Sequence, residues 1–231
     1  MSILVVGDSV GFGSELPDVP EYLGIYGNDN ADDGSIAQPS QYAWPSLLAK
    51  RLDTTVNNLS IAGGSNDRIF RLALSESVKS KYSLVICAWT SVDRFDFSYQ
   101  GKDLPLTAGV DVSFSFPWFK QYLVNHYDST KTQQRWLAQL LSLQAFFKQQ
   151  QQPYLFAKSC KVVADNSLYY LSRKIDIKYC VNWESDMMSW CVALPRGEQG
   201  HFLEQGHQLV ADRFIDKIQA LRDDGYPVYN S

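Results

Sequence analysis

Five short strand-like runs, separated by segments with helical spacing, constrain this chain more than any other feature. The runs lie at 3–6, 54–58, 83–88, 153–158 and 175–180, and Gly, Pro, Asn and Asp punctuate the stretches around them. Between or after them come four amphipathic patterns. Residues 44–52 have apolar residues at helical spacing, with Pro45 in the first turn. Residues 66–78 place Ile69, Leu72, Ala73 and Leu74 on one face. Residues 133–147 repeat Trp136, Leu137, Leu140, Leu141, Leu143 and Phe147, and residues 203–221 carry Leu209, Val210, Phe214, Ile218 and Leu221. Strands alternating with helices predict a mostly parallel sheet covered on both faces, an α/β sandwich of three layers. With 231 residues, no internal repeat and no evident linker, the expectation is one domain over 1–231. It is interrupted by long insertions near 13–40 and 96–130. The first is rich in Gly, Asp, Asn and Pro, with Tyr22 and Tyr26. The second carries Phe95, Phe97, Tyr99, Phe114, Phe116, Trp118, Phe119, Tyr122 and Tyr127. Loops of that length are read either as lids or binding loops, or as cover for a secondary hydrophobic cluster.

Composition narrows the function classes. A formal net charge of -4 argues against nucleic acid as the main partner, since phosphate binding needs a basic patch. No run of about 18 apolar residues predicts a membrane span. The chain opens on a strand-like run rather than a basic region and a long apolar segment, so no secretory signal is read, and a cytoplasmic site or export by another route is expected. Cys87, Cys160, Cys180 and Cys191 form no C-x-x-C pair, so neither a metal nor a cofactor is expected. Cys87 and Cys180 read as buried thiols, with a Cys180–Cys191 disulfide left open.

The first strand-like run, Ile3 to Val6, stops at Gly7-Asp8-Ser9. A serine just past the carboxyl end of a strand lies where open α/β sheets bind ligands, and a strand-to-helix turn would expose its Oγ. Gly-Asp-Ser is also ordinary turn chemistry, with Asp8 read as a cap. Near the other end stands Glu198-Gln199-Gly200-His201, followed by Gly206-His207. Asn58-Leu59-Ser60-Ile61-Ala62-Gly63 follows the second run, and Ala88-Trp89-Thr90-Ser91 follows the third.

Together these blocks resemble the SGNH, or GDSL-type, hydrolase family. The resemblance implies the three-layer, flavodoxin-like α/β/α sandwich of that family. It makes Ser9 the nucleophile, His201 the base and Glu198, three residues before the His, the triad acid where Asp is usual. Asp186 is the fallback acid. His207 matches a second, non-catalytic histidine at the start of the last helix, and His126 is read as a surface residue. The N–H groups of Ser9 and Gly63 would bind the oxyanion. The family's side-chain donor is an Asn at the position of Thr90, so the third donor is read as Thr90 or, alternatively, Asn66.

Serine needs an adjacent base, and the triad supplies one. The expected activity is hydrolysis of an oxygen ester, with an O-acetyl or short-acyl group on a carbohydrate leading, because polar loops and aromatic side chains suit a sugar face. The partner would be a small-molecule or glycan ester. Alternatives are a lipid or thioester hydrolase, or a catalytically weak binding module, given the missing Asn and the Glu in place of Asp. Ser65-Asn66-Asp67-Arg68 and Ser91-Val92-Asp93-Arg94 both end in Asp-Arg, read as structural ion pairs or as anion contacts for substrate.

Overall fold

A computed structural model describes residues 2–19, 38–99, 102–107, 116–162, 165–226 and 228. Its central sheet has the order β2-β1-β3-β6, formed by β1 (Ile3–Val6), β2 (Val56–Asn58), β3 (Leu84–Trp89) and β6 (Tyr154–Lys158). All three pairings are parallel. The chain steps from β1 to β2 on one side and then crosses to β3 on the other. Ligand crevices open beyond the carboxyl ends of strands at such a reversal.

Period-two alternation in fully buried strands divides the core between the two faces of the sheet. Ile3, Val5, Ile86, Ala88 and Leu155 face α2 (Trp44–Arg51) and α8 (Glu204–Asp223), against Trp44, Leu48, Val210, Phe214 and Ile218. Trp44 and Phe214 stack with ring centroids 4.6 Å apart. Leu4, Val6, Val85, Cys87, Trp89 and Phe156 face α3 (Asn66–Lys79) and α5 (Ser129–Gln149), against Ile69, Ala73, Trp136, Leu140 and Phe147. The mostly parallel sheet and its three layers match the sequence expectation.

Two readings need correction. The run at 175–180 is no strand: Ile177–Tyr179 is a 3₁₀ turn, and Cys180 makes one isolated parallel bridge to Phe156. The second insertion is not a loop throughout. It holds the antiparallel hairpin β4 (Arg94–Tyr99) and β5 (Lys102–Thr107), then α4 (Pro117–His126). Its described aromatics pack on one another, with Phe95, Leu106 and Phe119 buried among Phe97, Phe116, Tyr122 and Tyr127. That is a satellite core, not an open aromatic face. In the first insertion, residues 20–37, with Tyr22 and Tyr26, lie outside the described residues, as does Phe114 in the second. All four cysteines are free, so Cys180 and Cys191 form no disulfide.

Candidate active site

The carboxyl ends of β1, β2 and β3, the segment after β6 and the loop before α8 converge on Ser9. After β1 the chain turns through Gly7 and Asp8 into the four-residue α1 (Ser9–Phe12), of which Ser9 is the first residue. Asp8 caps this turn by accepting the N–H of Val10 on Oδ1 at 3.0 Å. Ser9 is only 5% exposed.

Ser9 Oγ lies 2.8 Å from His201 Nε2. On the other side of the ring, His201 Nδ1 lies 2.8 Å from Glu15 Oε2. A carboxylate only accepts, so Nδ1 carries the proton and Nε2 is left to accept from the serine hydroxyl. The family resemblance implied Glu198 on the imidazole. The structure puts Glu15 there instead, six residues after the serine, while Glu198 is exposed. The reason is the turn at 197–201, closed by Gly197 N–H to His201 O at 2.9 Å and Gly200 N–H to Gly197 O at 3.0 Å. Asp186 is elsewhere too, capping α7 (Met187–Trp190) through the N–H and hydroxyl of Ser189.

Burial alone would raise the Glu15 carboxyl. The N–H groups of Gln199 and His201 and the His201 ring outweigh it and hold the pKa below the ordinary carboxylate value. The one sequence hint of Glu15 was its place just after the glycine-ended first turn.

Gly63 follows β2 with φ of 73°, a left-handed conformation that favours glycine. Among the described residues, no backbone acceptor takes the N–H of Ser9 or of Gly63. The two side chains expected as a third oxyanion donor are otherwise engaged. The Thr90 hydroxyl donates to Asp8 Oδ2 at 2.6 Å. The Asn66 amide bridges backbone, accepting Thr90 N–H at 2.9 Å and donating to the carbonyls of Thr90 and Ser91 at 3.0 and 3.3 Å. This pairing ties the start of α3 to the end of β3.

Asp8 Oδ2 also accepts from Arg94 Nη1 at 3.0 Å and Ser159 Oγ at 2.9 Å, with Cys160 Sγ at 3.7 Å. A fully buried carboxylate therefore sits directly behind Ser9, neutralised by one guanidinium. Burial and then Asp8 push the Cys160 thiol up to about 12. Of the Asp-Arg pairs, Arg94 serves Asp8, and Asp67 pairs with Arg135 at 2.9 Å, so both motifs make structural ion pairs. Among the described residues, no group of three His, Cys, Asp or Glu could hold a metal ion. No described helix is long and apolar enough to cross a membrane.

The fold is shared with solved structures. The structure of TesA superposes with a TM-score of 0.54 at 14% identity, covering 96% of this chain and 99% of that one. The psychrotrophic esterase EstA of Pseudoalteromonas sp. gives 0.49 at 13% identity, covering 96% and 98%, and the acetyl xylan esterase AlAXEase gives 0.49 at 11%, covering 94% and 98%. At 14% identity the likeness to TesA shows the fold alone. The chain belongs to DUF6071, described as a family of unknown function, which matches residues 26–216. That span includes His201 and begins after Ser9 and Glu15. Comparison with curated protein sequences finds no match.

Proposed function

We propose that this protein is a serine esterase that cleaves an oxygen ester with Ser9 as nucleophile and His201 as general base. The observation that carries the reading is the 2.8 Å approach of Ser9 Oγ to His201 Nε2, with a carboxylate 2.8 Å from the opposite ring nitrogen. Ser9 Oγ attacks the acyl carbon while its proton passes to Nε2. The tetrahedral oxyanion is met by the N–H groups of Ser9 and Gly63. Collapse breaks the C–O bond, and the Nε2 proton leaves with the alcohol. Water then repeats the sequence: it gives a proton to Nε2, adds to the acyl carbon, and releases the acid and free Ser9.

The proposed substrate is a short acyl group, O-acetyl first, on a carbohydrate or other small alcohol. Its support is the aromatic and polar composition of the insertions. Self-packing of the hairpin aromatics weakens that support. A panel of acetylated sugars, p-nitrophenyl esters of rising chain length and acyl thioesters tests it. The highest kcat/KM on long-chain or thioester substrates would replace the carbohydrate proposal.

One observation favours a second reading, a domain of this fold with weak turnover. With the Thr90 hydroxyl on Asp8, the oxyanion keeps two backbone donors and loses a third. One such donor is worth about 3 kcal/mol of barrier. A fluorophosphonate probe separates the readings. Stoichiometric labelling of Ser9 supports the esterase, and no labelling across neutral and mildly alkaline pH supports the binding domain.

A further inference from the structure

We propose that Glu15 is the residue that positions the His201 base, and that the turn at 197–201 is shaped to receive its carboxylate. The proposal rests on the reading of Ser9 and His201 as nucleophile and base. Three hydrogen bonds converge on this one side chain. Oε1 accepts the N–H of Gln199 at 2.7 Å, and Oε2 accepts both the N–H and the Nδ1–H of His201, at 3.0 and 2.8 Å. A single oxygen therefore fixes the backbone and the ring of the same histidine. That removes the ring's freedom to rotate away from Ser9.

Two further features fit this role. Glu15 has φ of 69°, a left-handed conformation that costs a non-glycine residue free energy and persists where the surroundings over-determine it. The three bonds to its carboxylate are those surroundings. Gly197 supplies the room: a Cβ there would stand 2.3 Å from Glu15 Oε1 and 2.5 Å from Cδ. No side chain fits at 197 while the carboxylate is seated. Arg196 holds the turn from outside, donating to Gly200 O at 3.2 Å and Met188 O at 2.9 Å.

In the reaction Glu15 takes no proton. It keeps the proton on Nδ1, which leaves the Nε2 lone pair for the serine proton. When Nε2 is protonated, the Glu15 charge balances the imidazolium until the proton passes to the leaving alcohol. The glutamate three residues before the histidine is thereby freed from this work, and the acid comes from the nucleophile's own end of the chain.

The test uses the full chain with ¹⁵N-labelled histidine, as wild type, E15Q, E198Q and G197A, each checked for a cooperative thermal transition. The expected signature is a downfield Nδ1–H proton resonance, assigned to His201 by its loss in His201→Ala. It should be present in wild type and E198Q and absent from E15Q. With p-nitrophenyl acetate, E15Q should lose about a thousandfold in kcat with KM changed only a fewfold. E198Q should stay within twofold of wild type. G197A retains the glutamate but fills its seat, so it should lose both resonance and kcat. Loss of resonance and turnover in E198Q, with both kept in E15Q, overturns the proposal, as does unchanged kcat in E15Q. A wild type without turnover whose resonance still depends on Glu15 would refute the esterase reading and leave the positioning contact standing. An inactive wild type whose resonance ignores Glu15 would refute both.

Discussion

Trp44 donates its backbone N–H to His207 Nδ1 at 3.1 Å, and this bond joins the first turn of α2 to the first turn of α8. Ala43 gives α2 no side-chain cap. His207 therefore satisfies one of the helix N–H groups that have no partner within the helix. An imidazole that accepts at Nδ1 is neutral and carries its proton on Nε2. Burial, with a smaller contribution from His201, pushes the His207 pKa down to about 3, from an unperturbed 6.5.

Stability should consequently fall as acid is added, before the carboxylates are titrated. In the unfolded chain His207 takes up a proton near pH 6.5, whereas in the folded protein it resists protonation down to about 3. The unfolded state thus binds more protons throughout that window, and the contribution present above pH 6.5 is lost toward pH 3. The slope is up to about 1.4 kcal/mol per pH unit. Urea unfolding at pH 7.5, 6.5, 5.5 and 4.5 should show this slope in wild type and a shallower one in His207→Gln, whose amide oxygen can accept the same N–H. Parallel pH curves for the two proteins would refute it.

Replacing Thr90 with Val tests where the hydroxyl acts. Its 2.6 Å bond to buried Asp8 predicts a stability effect. Loss of a donor to a charged acceptor costs about 1.5–3 kcal/mol. Turnover should fall by less than about tenfold, short of the hundredfold or more expected for a missing oxyanion donor. A loss of a hundredfold in kcat at unchanged urea midpoint would return Thr90 to the oxyanion hole.

Ser9→Ala removes the proposed nucleophile and leaves the packing almost intact. Esterase turnover should drop by about five to six orders of magnitude, as for other hydrolases that lose their serine. The melting temperature should change little, because the neighbouring bonds run through Asp8 rather than through the serine hydroxyl. Residual hydrolysis equal to wild type, once contaminating activity is excluded by a second purification, would sink the nucleophile assignment.

The layered sheet was legible because buried parallel strands are continuous apolar runs, and Ile3-Leu4-Val5-Val6 and Leu84-Val85-Ile86-Cys87 have no other good use. The 175–180 segment misled by its alternation, in which Ile175, Ile177 and Tyr179 are separated by Asp176 and Lys178. In the structure the Gln144 side chain accepts the N–H of Asp176 and donates to the carbonyl of Lys174, occupying groups that a strand would pair. The hairpin was hidden by Pro105, which interrupts a strand pattern yet sits opposite Asp96 in a two-stranded edge. Ser9 and His201, which approach to 2.8 Å, lie in short local blocks that resemble those of a known family. The Glu15 contact was not legible, because no motif marks Glu15 and its seat is a turn whose shape depends on Gly197 and Gly200. Thr90 and Asn66 had the right residue types at the right strand end, but hydrogen-bond partners, not position, decide what a hydroxyl or amide does.

Asp8 offers the sharpest test of what supports Ser9. Its carboxylate is fully buried, and the Arg94 side chain facing it is 17% exposed. Such a pair is costly to break from one side, because the remaining charge stays without compensation. Asp8→Asn preserves the shape and the oxygen that caps Val10 but removes the charge opposite Arg94. It should cost about 3 kcal/mol or more in urea unfolding at pH 7. Arg94→Met in the Asp8→Asn background removes the orphaned guanidinium and should recover about half of that loss. Both proteins should still react at Ser9 with a fluorophosphonate, because the bond from Ser9 to His201 does not pass through Asp8. If Asp8→Asn is as stable as wild type, the pair contributes nothing to the fold. If the double variant is no more stable than Asp8→Asn, the loss comes from the bonds to Thr90 and Ser159 rather than from Arg94.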